Sequence, residues 1–594
     1  MNTIKSEVLL VALNAKFIHS SLALRSLRSY CSVYQEQIQI AEYTINHQPD
    51  FILRDIYKRN PHILGFSCYI WNIDYILSLV SVIKKVMPET VIFLGGPEVS
   101  YDSEYWMKKH PEVDLIIQGE GEATLLELME YFQGNNHIKA LEDISGIYYR
   151  NGGEICQTSP RSPIQMDDIP FVYNEEDFLA LENQILYYES SRGCPYSCQY
   201  CLSSVEQGVR YRSLEKIFLD LQKFLDQEVK QVKFVDRTFN CHPKRALAIW
   251  EYLKENDNGV TNFHFEMSAD IMTSDMLEFL TTIRPKQFQF EIGVQSTHPT
   301  TIEYIQRKMD FIELSGVVKR IQLGENIHQH LDLIAGLPGE SYETFKKSFN
   351  DVYYLQPEKL QLGFLKLLRG SGLRQDAQKY GLVYQEQAPY EILYTDDLSY
   401  GELLQLKMIE EMVEIYYNGG KFLNSMRYLG YYFPTPFQMY EALSIYWEEQ
   451  NYHAIQHNKY QLYKILFDFF QHTQERVDVS QFKEVLLFDM YLQENVKTRS
   501  EWNNPSIDPM DKDKIRDFFK DEGIISTYLP QLVGYNSRQI SRMAHIEIFQ
   551  YDWIDWMQQQ ENQMPMKKKT AILFNYHDRS HVLGQAACYK VELI

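Results

Sequence analysis

The chain has 594 residues, with 80 acidic and 58 basic side chains and a formal net charge of −22. It is too long for one ordinary core, so three or four domains are expected, and too acidic for a general nucleic-acid binder, which needs a basic surface. It has no apolar run long enough for a membrane helix. Met1–Glu7 lacks the apolar region and cleavage site of a signal peptide, so the expected compartment is the reducing cytoplasm.

Residues 1–140 alternate apolar and amphipathic stretches. Residues 8–13, 38–42, 63–67, 91–96 and 115–119 read as strands, with helical periodicity between them, as over 75–86, and a closing helix over 122–132. Five strands with four crossovers predict an α/β fold with a doubly wound parallel sheet. Three strands end in small or glycine-rich turns: Gly65-Phe66-Ser67, Gly95-Gly96-Pro97-Glu98 and Gly119-Glu120-Gly121-Glu122. One such turn is ordinary punctuation. Three on one rim mark a place where a ligand can approach the backbone closely. A hairpin is expected over 146–158 around Asn151-Gly152-Gly153, then a proline-containing linker over 159–170. The expected division is 1–140, 141–184 for hairpin and linker, 185–374, and 375–594.

The strongest signal lies in Ser190-Ser191-Arg192-Gly193-Cys194-Pro195-Tyr196-Ser197-Cys198-Gln199-Tyr200-Cys201. Three thiolates so close can hold three corners of a cubic iron–sulfur cluster. A fully protein-held cluster takes four cysteines, so Cys194, Cys198 and Cys201 leave one iron open. Zinc is the competing reading, but it wants four ligands, usually as two close pairs, and no second pair lies nearby. Cys31, Cys68, Cys156, Cys241 and Cys588 are scattered and read as plain thiols. Around this loop, 186–189, 231–235, 263–267, 287–292, 330–334 and 359–364 read as strands of a partial (β/α)6 barrel of the TIM type. Functional residues of such a barrel lie at strand carboxyl ends. Polar or small residues stand there: Asp236, Glu266, Ser268, Glu291, Gln295 and Gly336. Asp236 could equally cap a helix, and Glu291 could be a structural ion-pair partner.

The cysteine spacing, with Tyr200 before the last cysteine, resembles the signature of the radical S-adenosylmethionine superfamily. The resemblance implies a [4Fe–4S] cluster whose open iron chelates S-adenosylmethionine. An electron then breaks a sulfonium C–S bond and releases a 5′-deoxyadenosyl radical, chemistry that belongs to the cofactor. It further implies contacts to S-adenosylmethionine from Tyr200, Asp236, Glu266, Ser268, Glu291, Gln295 and Gly336. The ordered glycine turns resemble the cobalamin-binding domain that precedes the radical domain in one class of this superfamily, over roughly residues 5–135. That implies cobalamin contacts from Asn14, Ser67, Gly95, Gly96, Glu98, Gly119 and Glu120. The Asp-x-His-x-x-Gly motif, whose histidine ligates cobalt, is missing: residues 14–20 place His19 elsewhere. Cobalamin without a histidine ligand and an empty sheet both stay open.

Residues 375–594 are tyrosine-rich and mostly helical by periodicity, as over 401–417, 435–449 and 458–470. They end in an expected strand pair, 570–576 and 587–593. His577, Asp578, Arg579, Ser580 and His581 read as a solvated turn, and Lys567–Lys569 as a solvated charge run. The region resembles a C-terminal extension of a bacterial subset of cobalamin-type radical proteins. The expected activity is methyl transfer to an unactivated carbon or phosphorus centre. The alternatives are radical cyclisation, rearrangement or oxidation, and a non-catalytic iron–sulfur electron-transfer protein. A methylthiotransferase fits less well, because a second cysteine triad is missing. The expected partners are an unidentified substrate and an external electron donor such as flavodoxin or ferredoxin, with no membrane.

Overall fold

The computed structural model describes residues 8–133, 140–205, 208–474, 477–496, 502, 509–558, 563–579 and 584–593. Met1–Glu7, Ser580 and His581, on which expectations rested, lie outside the described residues. The chain divides into two compact units: Met1–Ile327 with Ile334–Thr344 and Gly363–Tyr400, and His328–Leu333 with Phe345–Leu362 and Gly401–Ile594. Among the described residues no helix is long and apolar enough to cross a membrane.

The first unit opens with parallel strands β1 (Val8–Asn14), β2 (Ile38–Thr44), β3 (Ile63–Ser67), β4 (Val91–Gly95) and β5 (Leu115–Ile117), in the order β2-β1-β3-β4-β5. β1 is buried from Val8 to Leu13, as expected where helices cover both faces of a parallel sheet. The helix Ile73–Val86 turns Ile73, Ile76, Leu77, Val80 and Ile83 inward at helical spacing. Strand order reverses between β1 and β3, so a crevice opens beyond their carboxyl ends.

The hairpin β6 (Ile147–Asn151) and β7 (Glu154–Gln157) joins this sheet. β6 pairs antiparallel with β5, Ile117 facing Ile147 and Leu115 facing Tyr149. The five-stranded sheet expected from sequence therefore has seven strands. The hairpin covers an edge that would otherwise expose unpaired backbone.

Next come β8 (Leu186–Tyr188), β9 (Ser191–Cys194), β10 (Gly208–Tyr211), β11 (Gln231–Phe234), β12 (Asn262–Met267) and β13 (Phe288–Gln295). β8, β11, β12 and β13 run parallel in the order β13-β12-β11-β8, while β9 and β10 form a separate antiparallel hairpin. The strands alternate. Val232, Phe234, Phe263, Phe265, Phe288 and Phe290 are buried, and Phe234, Phe265, Phe288 and Phe290 pack with Phe239 and Trp250. The intervening Lys233, Glu266 and Glu291 form a charged row on the other side of the sheet. β14 (His328–Ala335) and β15 (Lys359–Phe364) follow in the chain, and within the first unit the Leu365 amide donates to the Ala335 carbonyl at 2.9 Å.

In the second unit the helices Tyr400–Val413, Leu423–Leu429, Pro436–Glu449, Lys459–Thr473 and Ser480–Gln493 supply an aromatic-rich core. A three-stranded antiparallel sheet follows, of Ala544–Tyr551, Lys567–Arg579 and Ala586–Val591. The expected strand pair gains Ala544–Tyr551; the lysine run opens the middle strand with all three residues exposed, as expected, while His577–Arg579 lie within that strand rather than in a turn.

Gly65 carries a packing constraint. A Cβ there would lie 2.1 Å from the Phe93 ring of the neighbouring strand. Gly65→Ala is expected to destabilise the first unit by about 1–3 kcal/mol through overpacking. Adding Phe93→Leu should recover part of that loss, measured as a double-mutant cycle in urea.

Candidate active site

The cysteine loop leaves the β9–β10 hairpin at Cys194, which pairs with Gly208. Gly193 has φ +105°, and a Cβ there would lie 2.2 Å from the Gly208 carbonyl oxygen, so only glycine fits this close approach. The loop is pinned from outside: the Gln199 amide donates to the Ile305 carbonyl and the Leu373 amide to that of Gln199, each at 2.9 Å. Cys194 and Cys198 are buried, Cys201 is half-buried, and all three are free thiols. Each sulfur faces a polar group. Cys194 Sγ lies 3.5 Å from Thr238 Oγ1, Cys201 Sγ accepts from the Ser203 amide at 3.5 Å, and Arg307 Nη1 lies 3.9 Å from Cys198 Sγ. Burial pushes the Cys198 thiol up, and the Arg307 guanidinium opposes that shift. Three free, largely buried thiols on one short loop suit a cluster with one open iron.

The sequence offered no means of finding Arg307. It stands 109 residues from Cys198 inside a short polar run, Gln306-Arg307-Lys308. Its Nη1 donates to the Tyr200 hydroxyl at 3.1 Å and its Nη2 to the Gly293 carbonyl, while its buried Nε has no partner among the described residues. Beside it, Gln295 ends β13 with φ +72° and a buried Oε1 that also lacks a partner. A Cβ on Gly293 would meet Gln295 Nε2 at 2.3 Å and Arg307 Nη2 at 3.5 Å, so the two side chains lie side by side. A buried acceptor and a buried donor left open together make an apt seat for a zwitterionic head group.

The other strand-end residues are engaged with the protein. Asp236 accepts from the Ser190 amide at 3.0 Å, from Ser190 Oγ at 2.7 Å and from Ser191 Oγ at 2.5 Å. Burial raises its pKa to about 6 against those hydrogen bonds. This carboxylate supports the base of the cysteine hairpin. Ser268 is held by Asn240 and Asp270. Glu291 lies mid-strand rather than at the strand end, opposite Glu266, and pairs with Lys233 at 2.8 Å and His264 at 3.1 Å. Burial would raise its pKa, but His264 and Lys233 hold it well below the usual carboxylate range. Glu266 meets Lys233 at 3.3 Å, and burial raises its carboxyl. Gly336 has φ +86° and packs against Ile392, where a Cβ would come within 2.8 Å.

On the rim of the first sheet, Ser67 Oγ is buried and has no partner among the described residues. Gly119 has φ +73° with nothing within 4 Å of a Cβ position, and at Gly95 the nearest atom would be 3.8 Å away. Gly96, φ +111°, is required by its packing on the Cys68 carbonyl. An open backbone rim with one unsatisfied hydroxyl fits a large group approached through main chain. The remaining rim side chains have partners within the protein. Asn14 Nδ2 donates to the His19 carbonyl at 2.9 Å. Glu98 accepts from the Tyr390 hydroxyl and pairs with Arg369 at 3.3 Å. The Arg369 guanidinium also stands 4.7 Å from the rings of Tyr105 and Trp106 and binds Asp102 at 2.6 Å. Glu120 pairs with Arg210 and, at 3.5 Å, with Arg192. Arg192 also pairs with Glu122 at 2.9 Å and Glu189 at 2.7 Å. Arg192 and Arg210 face each other across the hairpin, so the strands carrying the cysteine loop grip the glycine rim through two guanidiniums. His19 bridges to Ile185, and its Nδ1 lies 2.6 Å from the Tyr187 hydroxyl.

Residues 8–129 match the family described as the B12 binding domain, residues 188–352 the radical SAM superfamily, and residues 378–574 a protein family of unknown function, DUF4080. The chain thus carries a B12-binding domain and a radical S-adenosylmethionine domain over those residues. The cofactors of these two domains are a [4Fe–4S] cluster, S-adenosylmethionine and cobalamin.

Among curated relatives, 2-(S-pantetheinyl)-carbapenam-3-carboxylate methyltransferase of Streptantibioticus cattleyicolor is 27% identical over 320 residues, 48% of this chain and 44% of the relative. The cobalamin-dependent radical SAM methyltransferase TokK of Streptomyces tokunonensis is 25% identical over 389 residues, 60% of this chain and 55% of the relative. The anaerobic magnesium-protoporphyrin IX monomethyl ester cyclase of Rubrivivax gelatinosus is 22% identical over 334 residues, 53% of this chain and 58% of the relative. The chain spans about half the length of these relatives. In fold it resembles the cobalamin-dependent S-adenosylmethionine radical enzyme OxsB with aqua-cobalamin bound, with TM-score 0.57 and 16% identity over 82% of this chain and 78% of that one. It also resembles the radical S-adenosylmethionine methyltransferase TsrM of Kitasatospora setae, with TM-score 0.53 and 14% identity over 65% of this chain and 80% of that one.

Glu122 is 5% exposed, so removing its partner strands a buried charge. Arg192→Ala is expected to cost about 3–5 kcal/mol in denaturant unfolding. Arg192→Lys should recover only part, because an ammonium cannot fork between Glu122 and Glu189.

Proposed function

We propose that the chain is a radical S-adenosylmethionine enzyme that uses cobalamin to transfer a methyl group to an unactivated carbon or phosphorus centre. The observation that carries this reading is the cysteine triad beside the open pair of Gln295 and Arg307, on a hairpin clamped to the glycine rim. When bound, the cluster and S-adenosylmethionine supply one-electron cleavage of a sulfonium C–S bond, and cobalamin supplies a methyl carrier. The chain's own part is binding, orientation and exclusion of side reactions. Gln295 Oε1 would accept from the ammonium of bound S-adenosylmethionine, and Arg307 Nε would donate to its carboxylate. Lys233 and His264 keep Glu291 ionised. Ser67 Oγ and the backbone of Gly95 and Gly119 would hold cobalamin, while His19 is held by Tyr187.

Replacing Cys194, Cys198 and Cys201 together with Ala is expected to abolish the visible absorbance of the reconstituted cluster and the release of 5′-deoxyadenosine. Retained cleavage in that variant would refute the cluster. Gln295→Ala should weaken S-adenosylmethionine binding about tenfold, the loss of one hydrogen bond to a charged group, with cluster content unchanged. Unaltered affinity would remove Gln295 from the contact set.

Hydroxocobalamin added anaerobically should be retained at about one per chain with its nucleotide base displaced, and Ser67→Val should reduce retention. A spectrum of histidine ligation would show His19 to be released from Tyr187.

The relatives named as cyclases favour a second reading, radical cyclisation without methyl transfer. Product analysis separates the two. Methyl transfer consumes S-adenosylmethionine both as methyl donor and as radical source, so S-adenosylhomocysteine and 5′-deoxyadenosine accumulate together. Cyclisation yields no S-adenosylhomocysteine.

A further inference from the structure

The turn after β11 seats directly on the cysteine loop. Thr238 Oγ1 lies 3.5 Å from Cys194 Sγ, the Thr238 carbonyl accepts from the Cys241 amide at 3.2 Å, and Cys241 Sγ lies 3.3 Å from the Tyr211 hydroxyl. Tyr211 belongs to the same hairpin as Cys194, is 39% exposed, and has the Arg245 guanidinium 5.1 Å from its ring centre. One layer of side chains thus separates Cys194 from solvent on this side. The outer surface of that layer is basic. His242 and Lys244 are exposed, Arg245 is half-buried with its Nη2 donating to the Ser190 carbonyl at 3.0 Å, and residues 237–245 contain no carboxylate in a chain of net charge −22. The exposed positions of the cysteine loop itself, Pro195 and Ser197, are uncharged.

We propose that residues 237–245, with Tyr211, form the docking surface for a small acidic one-electron carrier protein, which passes its electron to the cluster across Thr238 and Cys241. This rests on the cluster reading above. The step is balanced: the reduced carrier loses one electron, the oxidised cluster gains it, and no proton or bond changes hands. Charge complementarity argues for the occupant. A basic island on an acidic protein steers an acidic partner and repels its competitors, and it acts mainly on association rate.

The test uses the full chain with reconstituted cluster, mixed by stopped flow with an acidic flavodoxin in its fully reduced form. Lys244→Glu is made alone and with His242→Asp, a change that keeps a residue able to cap the helix that follows. Reduction of the cluster by flavodoxin should slow about tenfold in the double variant and lose its dependence on ionic strength, while reduction by dithionite keeps its wild-type rate. Equal rates with flavodoxin in wild type and variant would overturn the surface. So would an equal slowing with dithionite, which would mean a disturbed cluster. A wild-type protein with no cluster that dithionite can reduce would refute the cluster reading and the surface with it.

Discussion

The pairing of Arg192 and Arg210 with Glu120, Glu122 and Glu189 is the interaction on which the site depends. Each arginine sits on one strand of the hairpin that launches the cysteine loop, and Glu120 and Glu122 flank Gly121 on the rim of the first sheet. Buried charges are costly unless paired, so these groups are satisfied only when hairpin and rim meet in one register. The clamp therefore fixes where the cysteines stand relative to the open glycine positions. It does so with side chains rather than with a covalent link.

A second constraint follows from the sheet that carries the other half of the site. Glu266 and Glu291 are direct cross-strand neighbours, an arrangement that is repulsive on its own. Lys233 on the next strand reaches both, and His264 takes a share of Glu291. The row is therefore internally compensated. Gln295, one strand end away, and Arg307 keep buried polar atoms uncommitted. Commitment below and vacancy above suit a site that must be preorganised for a polar ligand without being filled by its own side chains.

Much of this was legible in the sequence. The parallel strands stand out because continuous apolar runs such as residues 8–13 are what two-sided burial demands, and the helix Glu122–Phe132 has the bounds its periodicity suggested. The cysteine loop was legible because three ligand-type residues at short spacing carry their meaning locally. What stayed hidden was long-range. Asp236, Glu98, Glu120 and Asn14 were legible as polar residues at strand ends, but their partners lie tens to hundreds of residues away, and a carboxylate at a strand end looks the same whether it meets a ligand or an arginine. Arg307 was invisible for the same reason. The joining of hairpin to sheet was missed because loop chemistry marks a turn but not the edge it will pair with.

Arg369 has a consequence for how the protein is made. Its guanidinium closes over Tyr105, Trp106, Asp102 and Glu98, and its bond to Asp102 spans 267 residues of chain. During synthesis the first sheet emerges and pairs its strands early, yet this corner must wait until the whole cysteine domain has left the ribosome. Until then a buried glutamate and the buried Trp106 ring stand uncovered. The nascent chain thus passes through a long interval with an unfinished, adhesive surface, the kind of species that chaperones retain, and closure by Arg369 marks the end of that interval.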